Sequence, residues 1–211
     1  ITAALTNERL EELHRQAGMA RAFGVEVEEI SPAQIKEKYS HLNIQDVKGG
    51  VYLPLDGQGD PANIALALAK GARKRGAQVQ ERVAVKEITR SGRSVTGVNW
   101  QSEDGTLGHI GCDMIVNCAG MWGHEVGRMM GVNVPLQACE HFYIVTEAIP
   151  GLAQLPVLRV PDECAYYKED AGKILLGAFE PNAKPWAVNG IPQDFEFDQL
   201  PEDFDHFEPI L

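Results

Sequence analysis

No Gly-x-Gly-x-x-Gly pattern occurs anywhere in the 211 residues. The chain therefore lacks the loop whose glycines and helix N-terminus hold the diphosphate of a dinucleotide. Cysteine is sparse: Cys112, Cys118, Cys139 and Cys164 stand far apart and form no Cys-x-x-Cys pair. A zinc site places two ligands within a few residues of each other, so no metal site is expected and the thiols read as reduced. Basic residues are outnumbered, 19 Lys and Arg against 30 Asp and Glu, which leaves a formal net charge of −11. Nucleic acid and anionic membranes demand basic patches, so neither is expected as a partner. No apolar run is long enough to cross a bilayer and no signal peptide is evident, so a cytoplasmic-type protein is expected.

What is present is globular in character. An apolar content of 44% suffices to bury a core in one or two units. The chain starts at Ile1 rather than Met and stops at Pro209-Ile210-Leu211, and both ends read as cut.

Apolar spacing predicts a helix from Leu5 to Phe23, closed by Gly24. Val25 to Glu28 alternates and predicts a short strand. Ser31-Pro32 opens a second helix as cap and first-turn proline, with Ile35 and Tyr39 on one face. Val51 to Leu53 reads as a strand. Asp60-Pro61 starts a third helix whose face carries Ile64, Leu68 and Ala72, and Gly76 ends it.

Three alternating strands follow, around Val83 to Ile88, Val95 to Trp100 and Leu107 to Ile110. Met114 to Asn117 predicts a fully buried strand. Gly123, Gly127 and Gly131 recur every four residues on a predicted helix, a spacing that lets a helix lie close to a sheet. Phe142 to Val145 and Lys173 to Leu176 are strand-like again. Asp194 to Glu208 carries seven acidic residues and no Lys or Arg, which predicts a solvated surface or a helix start.

The order of three segments carries a resemblance. Leu55-Asp56-Gly57-Gln58-Gly59-Asp60-Pro61, Gly76-Ala77-Gln78-Val79 and Asn117-Cys118-Ala119-Gly120-Met121-Trp122 resemble the second half of an FAD-binding domain. The family is that of the D-amino-acid-oxidase-like (DAO) oxidoreductases. Val134-Pro135-Leu136 and His141-Phe142-Tyr143-Ile144-Val145 resemble the entry to its substrate domain, with Phe142 where relatives often have Gln. Leu155 to Arg159 and Ala165-Tyr166-Tyr167 narrow the likeness to the sarcosine and dimethylglycine dehydrogenase branch.

The resemblance implies an α+β fold: an antiparallel-sheet substrate-binding domain with helices, plus a partial, Rossmann-like FAD-binding domain. Residues 1–56 and 136–211 are expected to form the two parts of the substrate-binding domain, and 57–135 the partial FAD domain with its β-meander. It implies an internal fragment of an FAD enzyme that demethylates an N-methylglycine, inactive and free of FAD when alone. It also implies a small N-methyl amine substrate, a link to tetrahydrofolate through a further carboxy-terminal domain, and the mitochondrial matrix as location in a eukaryote. Two alternatives stay open: a non-catalytic regulatory relative of the same fold, and another amine or glycerol-phosphate oxidoreductase of the family.

Oxidising an N-methyl amine requires the amine in its neutral form, so the site needs a group that takes its proton or hydrogen bond. His141 suits that task because imidazole titrates near neutral pH. Tyr166 offers a phenol to hold the amine or the histidine. The resemblance maps both onto the substrate pocket; the alternative for each is a structural side chain. On a strand, Tyr166 and Tyr167 point to opposite faces, so only one faces a pocket. For the cofactor, the resemblance implicates Val85 near the adenine and Ala119, Gly120 and Trp122 near the flavin. Arg159 is either a carboxylate clamp or a surface cation.

Overall fold

The computed structural model describes residues 1–211. In chain order the first elements are β1 (Thr2–Ala4), α1 (Asn7–Ala22), β2 (Glu28–Ile30), α2 (Pro32–Lys38), β3 (Gly49–Tyr52) and α3 (Pro61–Lys74). A meander β4 (Val83–Ser91), β5 (Ser94–Ser102) and β6 (Leu107–Gly111) precedes α4 (Gly123–Met129). The rest comprises β7 (Tyr143–Val145), β8 (Leu158–Val160), β9 (Ala165–Asp170), β10 (Lys173–Ala178) and α5 (Phe204–Phe207). The α+β class expected from the sequence is the class observed.

The chain divides into two compact units. The first comprises Ile1–Gln58, Glu140–Lys184 and Gln199–Leu211, and the second Gly59–Cys139 and Pro185–Asp198.

The first unit is built on a seven-stranded sheet in the order β2-β3-β1-β8-β9-β10-β7. All pairs are antiparallel except β1 with β8. Strand alternation sends successive side chains to opposite faces, and β1 shows it over two residues. Ala3 joins Ile30, Ile35, Tyr39, Leu158 and Val160 in one core, while Ala4 joins Leu13, Ala17, Val27 and Val51 in another. Ile35 and Tyr39 belong to α2 and its cap; Leu13 and Ala17 belong to α1. Each helix thus covers one face of the same strand.

Local chemistry sets the helix ends. The Thr6 hydroxyl accepts from Arg9 N at 3.1 Å to open α1. Ser31 and Gln34 form a reciprocal capping box at α2 behind Pro32. A cap of this kind stabilises a helix by about 1 kcal/mol. Asp162 then ties α1 to the sheet, accepting from Leu5 N at 2.9 Å and Arg9 Nε at 3.1 Å. The strand expected at Val25 to Glu28 instead begins at Glu28, because pairing with β3 sets its register at Glu28–Tyr52, Glu29–Val51 and Ile30–Gly50.

The second unit holds the meander, α3 and α4. The meander matches its expected strands, with bulges between Val85 and Glu87 and between Thr89 and Arg90. Asp60 caps α3, accepting from Asn63 N at 3.1 Å.

Two sequence expectations fail in this unit. Met114 to Asn117 is not a buried strand: it pairs with nothing, and Met114 and Val116 are 78% and 75% exposed. An apolar run becomes a strand only beside another strand that satisfies its backbone groups, and none lies alongside it here. For the same lack of a covering layer, Ile64 and Leu68 on α3 are exposed. Gly131 also lies beyond α4, in a turn with φ +68°, so only Gly123 and Gly127 are helical. Gly127 allows close approach of the Val132–Val134 segment rather than a sheet, since a Cβ there would come within 2.6 Å of Val134 Cγ2.

The acidic segment Asp194 to Glu208 is shared between the units. Its later part starts α5, where Asp203 caps by accepting from His206 N at 2.9 Å and pairs with Lys184.

Candidate active-site face

One face of the large sheet carries a transverse row of residues. Arg159 on β8 lies opposite Tyr166 on β9, Tyr166 opposite Gly177 on β10, and Gly177 opposite Tyr143 on β7. Directly paired residues share a face, as do residues two apart along a strand. His141, two before Tyr143, and Phe179, two after Gly177, therefore extend the same row past the strand ends.

The side chains confirm this placement. Phe179 meets Tyr166 with centroids 5.3 Å apart and His141 edge-on at 6.2 Å. The Arg159 guanidinium carbon sits 5.6 Å from the Phe179 ring centre, and Arg159 forms no ion pair. Tyr167 points the other way and packs against the core that contains Leu158 and Tyr39. Burial, with a smaller contribution from Glu163, raises its phenol pKa above the ordinary range.

Glu180 lies beneath His141. One carboxylate oxygen, Oε2, is 2.9 Å from His141 Nδ1, and the other accepts from Phe142 N at 3.1 Å. The Glu180 side chain is 4% exposed and that of His141 54%, so the carboxylate is enclosed while the imidazole is open. Sequence reasoning missed Glu180 and Phe179. The available signal was an acidic residue directly after the apolar run Ile174 to Phe179, where a solvated turn would normally expose it. Phe142 itself packs on His206, with ring centroids 5.6 Å apart.

A separate hollow of about 520 Å³ in the same unit is lined by Ile1, Lys38, Tyr52, Gln154 and Leu155 among others, and by none of the expected site residues. No three His, Cys, Asp or Glu side chains converge to hold a metal ion, and all four cysteines are free. No helix is long and apolar enough to cross a membrane.

In the second unit, Asn117 builds the turn that carries Ala119, Gly120 and Trp122. Its Oδ1 accepts from Ala119 N at 3.2 Å and its Nδ2 donates to Gly123 O at 2.9 Å. Gly120 has φ +55° and no atom within 4 Å of where a Cβ would stand. Val85 and Trp122 are both 40% exposed. Open backbone and exposed apolar side chains fit contact with the flat rings of a flavin or an adenine. They supply no glycine-rich loop for a diphosphate.

These features define the class of protein. The chain belongs to the DAO family of FAD dependent oxidoreductases, which matches residues 1–211. More particularly, it is 39% identical over 188 residues to the mitochondrial sarcosine dehydrogenase of Homo sapiens, covering 87% of this chain and 20% of that protein. It is 37% identical over 215 residues to the mitochondrial pyruvate dehydrogenase phosphatase regulatory subunit of Mus musculus, covering 100% and 24%. With the mitochondrial dimethylglycine dehydrogenase of Rattus norvegicus it shares 32% over 214 residues, covering 97% and 24%. The chain thus spans about a quarter of these relatives' length or less. Among solved structures, L-proline dehydrogenase from P. horikoshii superposes with a TM-score of 0.78 at 22% identity, over 99% of this chain and 52% of that one. That likeness establishes the fold.

Proposed function

We propose that this chain is the substrate-facing part of an FAD-dependent enzyme that oxidatively demethylates an N-methylglycine, sarcosine or dimethylglycine. The observation that carries the reading is the meeting of His141 and Tyr166, distant in sequence, on the single ring of Phe179. The similarity to sarcosine and dimethylglycine dehydrogenases supports the substrate class. The mitochondrial relatives support a matrix location in a eukaryote.

FAD supplies the acceptor for the hydride that leaves the methyl carbon. The residues of this chain prepare the amine. His141 takes the ammonium proton, leaving the nitrogen lone pair free to form the iminium as hydride departs. The Tyr166 hydroxyl holds the amine or the imidazole in place. Arg159, free of any protein carboxylate, provides the charge that a substrate carboxylate requires. Water then releases the methyl carbon as formaldehyde, or the carbon passes to tetrahydrofolate on a further domain. Val85, Ala119, Gly120 and Trp122, all in the second unit, would face the cofactor.

The test is flavin reduction by sarcosine and dimethylglycine in the flavin-loaded protein that contains this chain. H141A and Y166F should each slow reduction, H141A by about 10²–10⁴-fold. No reduction by any N-methyl amine sinks the proposal.

The similarity to a phosphatase regulatory subunit across the whole chain supports a second reading, a binding protein without turnover. A non-catalytic relative has no chemical need for His141 with Tyr166. Unchanged function in both variants would favour that reading.

A further inference from the structure

We propose that Glu180 is the positioning residue of this face: it holds His141 as the Nδ1–H tautomer and so presents Nε2 as the proton acceptor. The role in turnover rests on the amine-oxidation reading above; the tautomer does not.

The geometry is specific. A carboxylate only accepts, so a bond between Glu180 Oε2 and His141 Nδ1 places the proton on Nδ1. The other oxygen is engaged by Phe142 N, which fixes the carboxylate's orientation. Both donors come from adjacent residues, so the carboxylate clamps the segment entering β7 as well as the ring. Nε2 lies on the opposite side of a half-exposed ring and has no protein partner. A neutral imidazole held in this way has one free lone pair, directed away from Glu180 toward the open face.

Glutamine at 180 cannot serve both donors, because its amide offers one acceptor and one donor group. If its oxygen keeps Phe142 N, its NH₂ faces Nδ1 and the proton moves to Nε2. The lone pair that would accept the amine proton is then gone. If the amide turns over, Phe142 N loses its partner instead.

The primary test is the histidine tautomer in the ¹⁵N-labelled chain, read from long-range ¹H–¹⁵N correlations at pH 8. H141A assigns the His141 signals among the six histidines. The expected result is a protonated Nδ1 and a bare Nε2 in the unsubstituted protein, and an inverted or mixed tautomer in E180Q. An Nε2–H tautomer in the unsubstituted protein overturns the proposal even if E180Q does not fold.

In the flavin-loaded protein, E180Q should slow flavin reduction at saturating substrate by about 10- to 100-fold, part of what a positioned acid–base group contributes. In the H141A background, E180Q should cost nothing further, because its effect runs through the imidazole. An E180Q penalty that persists without His141 marks a merely structural role and overturns the proposal. A slow H141A with an unimpaired E180Q overturns the role of Glu180 alone. An unimpaired H141A overturns the amine-oxidation reading, and the tautomer measurement is left to decide the clamp.

Discussion

The Tyr166 side chain lies across Gly177, so closely that a Cβ added at 177 would stand 2.1 Å from Tyr166 Cζ. Gly177 has no Cβ to block the ring, which allows the phenol to lean over β10 toward Phe179. Gly177→Ala should therefore destabilise the protein by about 1–3 kcal/mol, the usual cost of overpacking. In the Y166A background that penalty should vanish. Denaturant unfolding of the four variants measures it, and an undiminished penalty would mean that the glycine serves something other than the tyrosine.

Two other glycines should respond in opposite directions. A Cβ at Gly50 would meet the Thr2 carbonyl oxygen at 2.4 Å, a backbone atom of β1 that cannot rotate aside. Gly50→Ala should cost about 1–3 kcal/mol or more as β1 and β3 separate. Gly71 lies inside α3 with nothing within 4 Å. Gly71→Ala should stabilise by about 0.5–1 kcal/mol, mainly by restricting the unfolded chain. Thermal unfolding compares the two.

Alkaline pH should unfold the first unit earlier than surface tyrosines would imply. Burial raises the phenol pKa of both Tyr39 and Tyr167 above the ordinary 10.0. The unfolded chain then loses these protons before the folded one does. Their contribution to stability is complete below about pH 10 and falls as pH rises through the folded values. Unfolding free energy measured from pH 8 to 11.5 should decline at the upper end, and less steeply in Y39F and Y167F. Equal decline in all three proteins would remove these phenols as the cause.

FAD added to the chain alone should keep the absorption spectrum of free flavin. Val85, Ala119, Gly120 and Trp122 are proposed to supply ring contacts, but the chain offers no loop that cradles a diphosphate. A bound-flavin spectrum would show that those contacts suffice without it.

Periodic and local signals were legible in the sequence. Ser31 and Asp60 cap the helices that follow them as expected, because a cap is a contact between residues three apart, whereas Thr6, expected inside the first helix, caps it instead. The meander emerged from alternation and tight turns, and the opposed directions of Tyr166 and Tyr167 from the period of a strand. Met114 to Asn117 misled for the converse reason: hydrophobicity records a preference for burial, while the neighbour that buries a strand is a tertiary matter.

By itself the sequence determined most of the elements, the Ser31 and Asp60 caps, the residue types available for chemistry and the family resemblance. Only the tertiary structure decided which of those residues meet. It set Arg159, Tyr166, Gly177 and Tyr143 in one row across four strands, and it placed the Glu180 carboxylate, 39 residues away in the chain, on His141. Alternation tells which residues of a strand share a face, but which strands pair and which enclosed carboxylate meets His141 depend on long-range contacts.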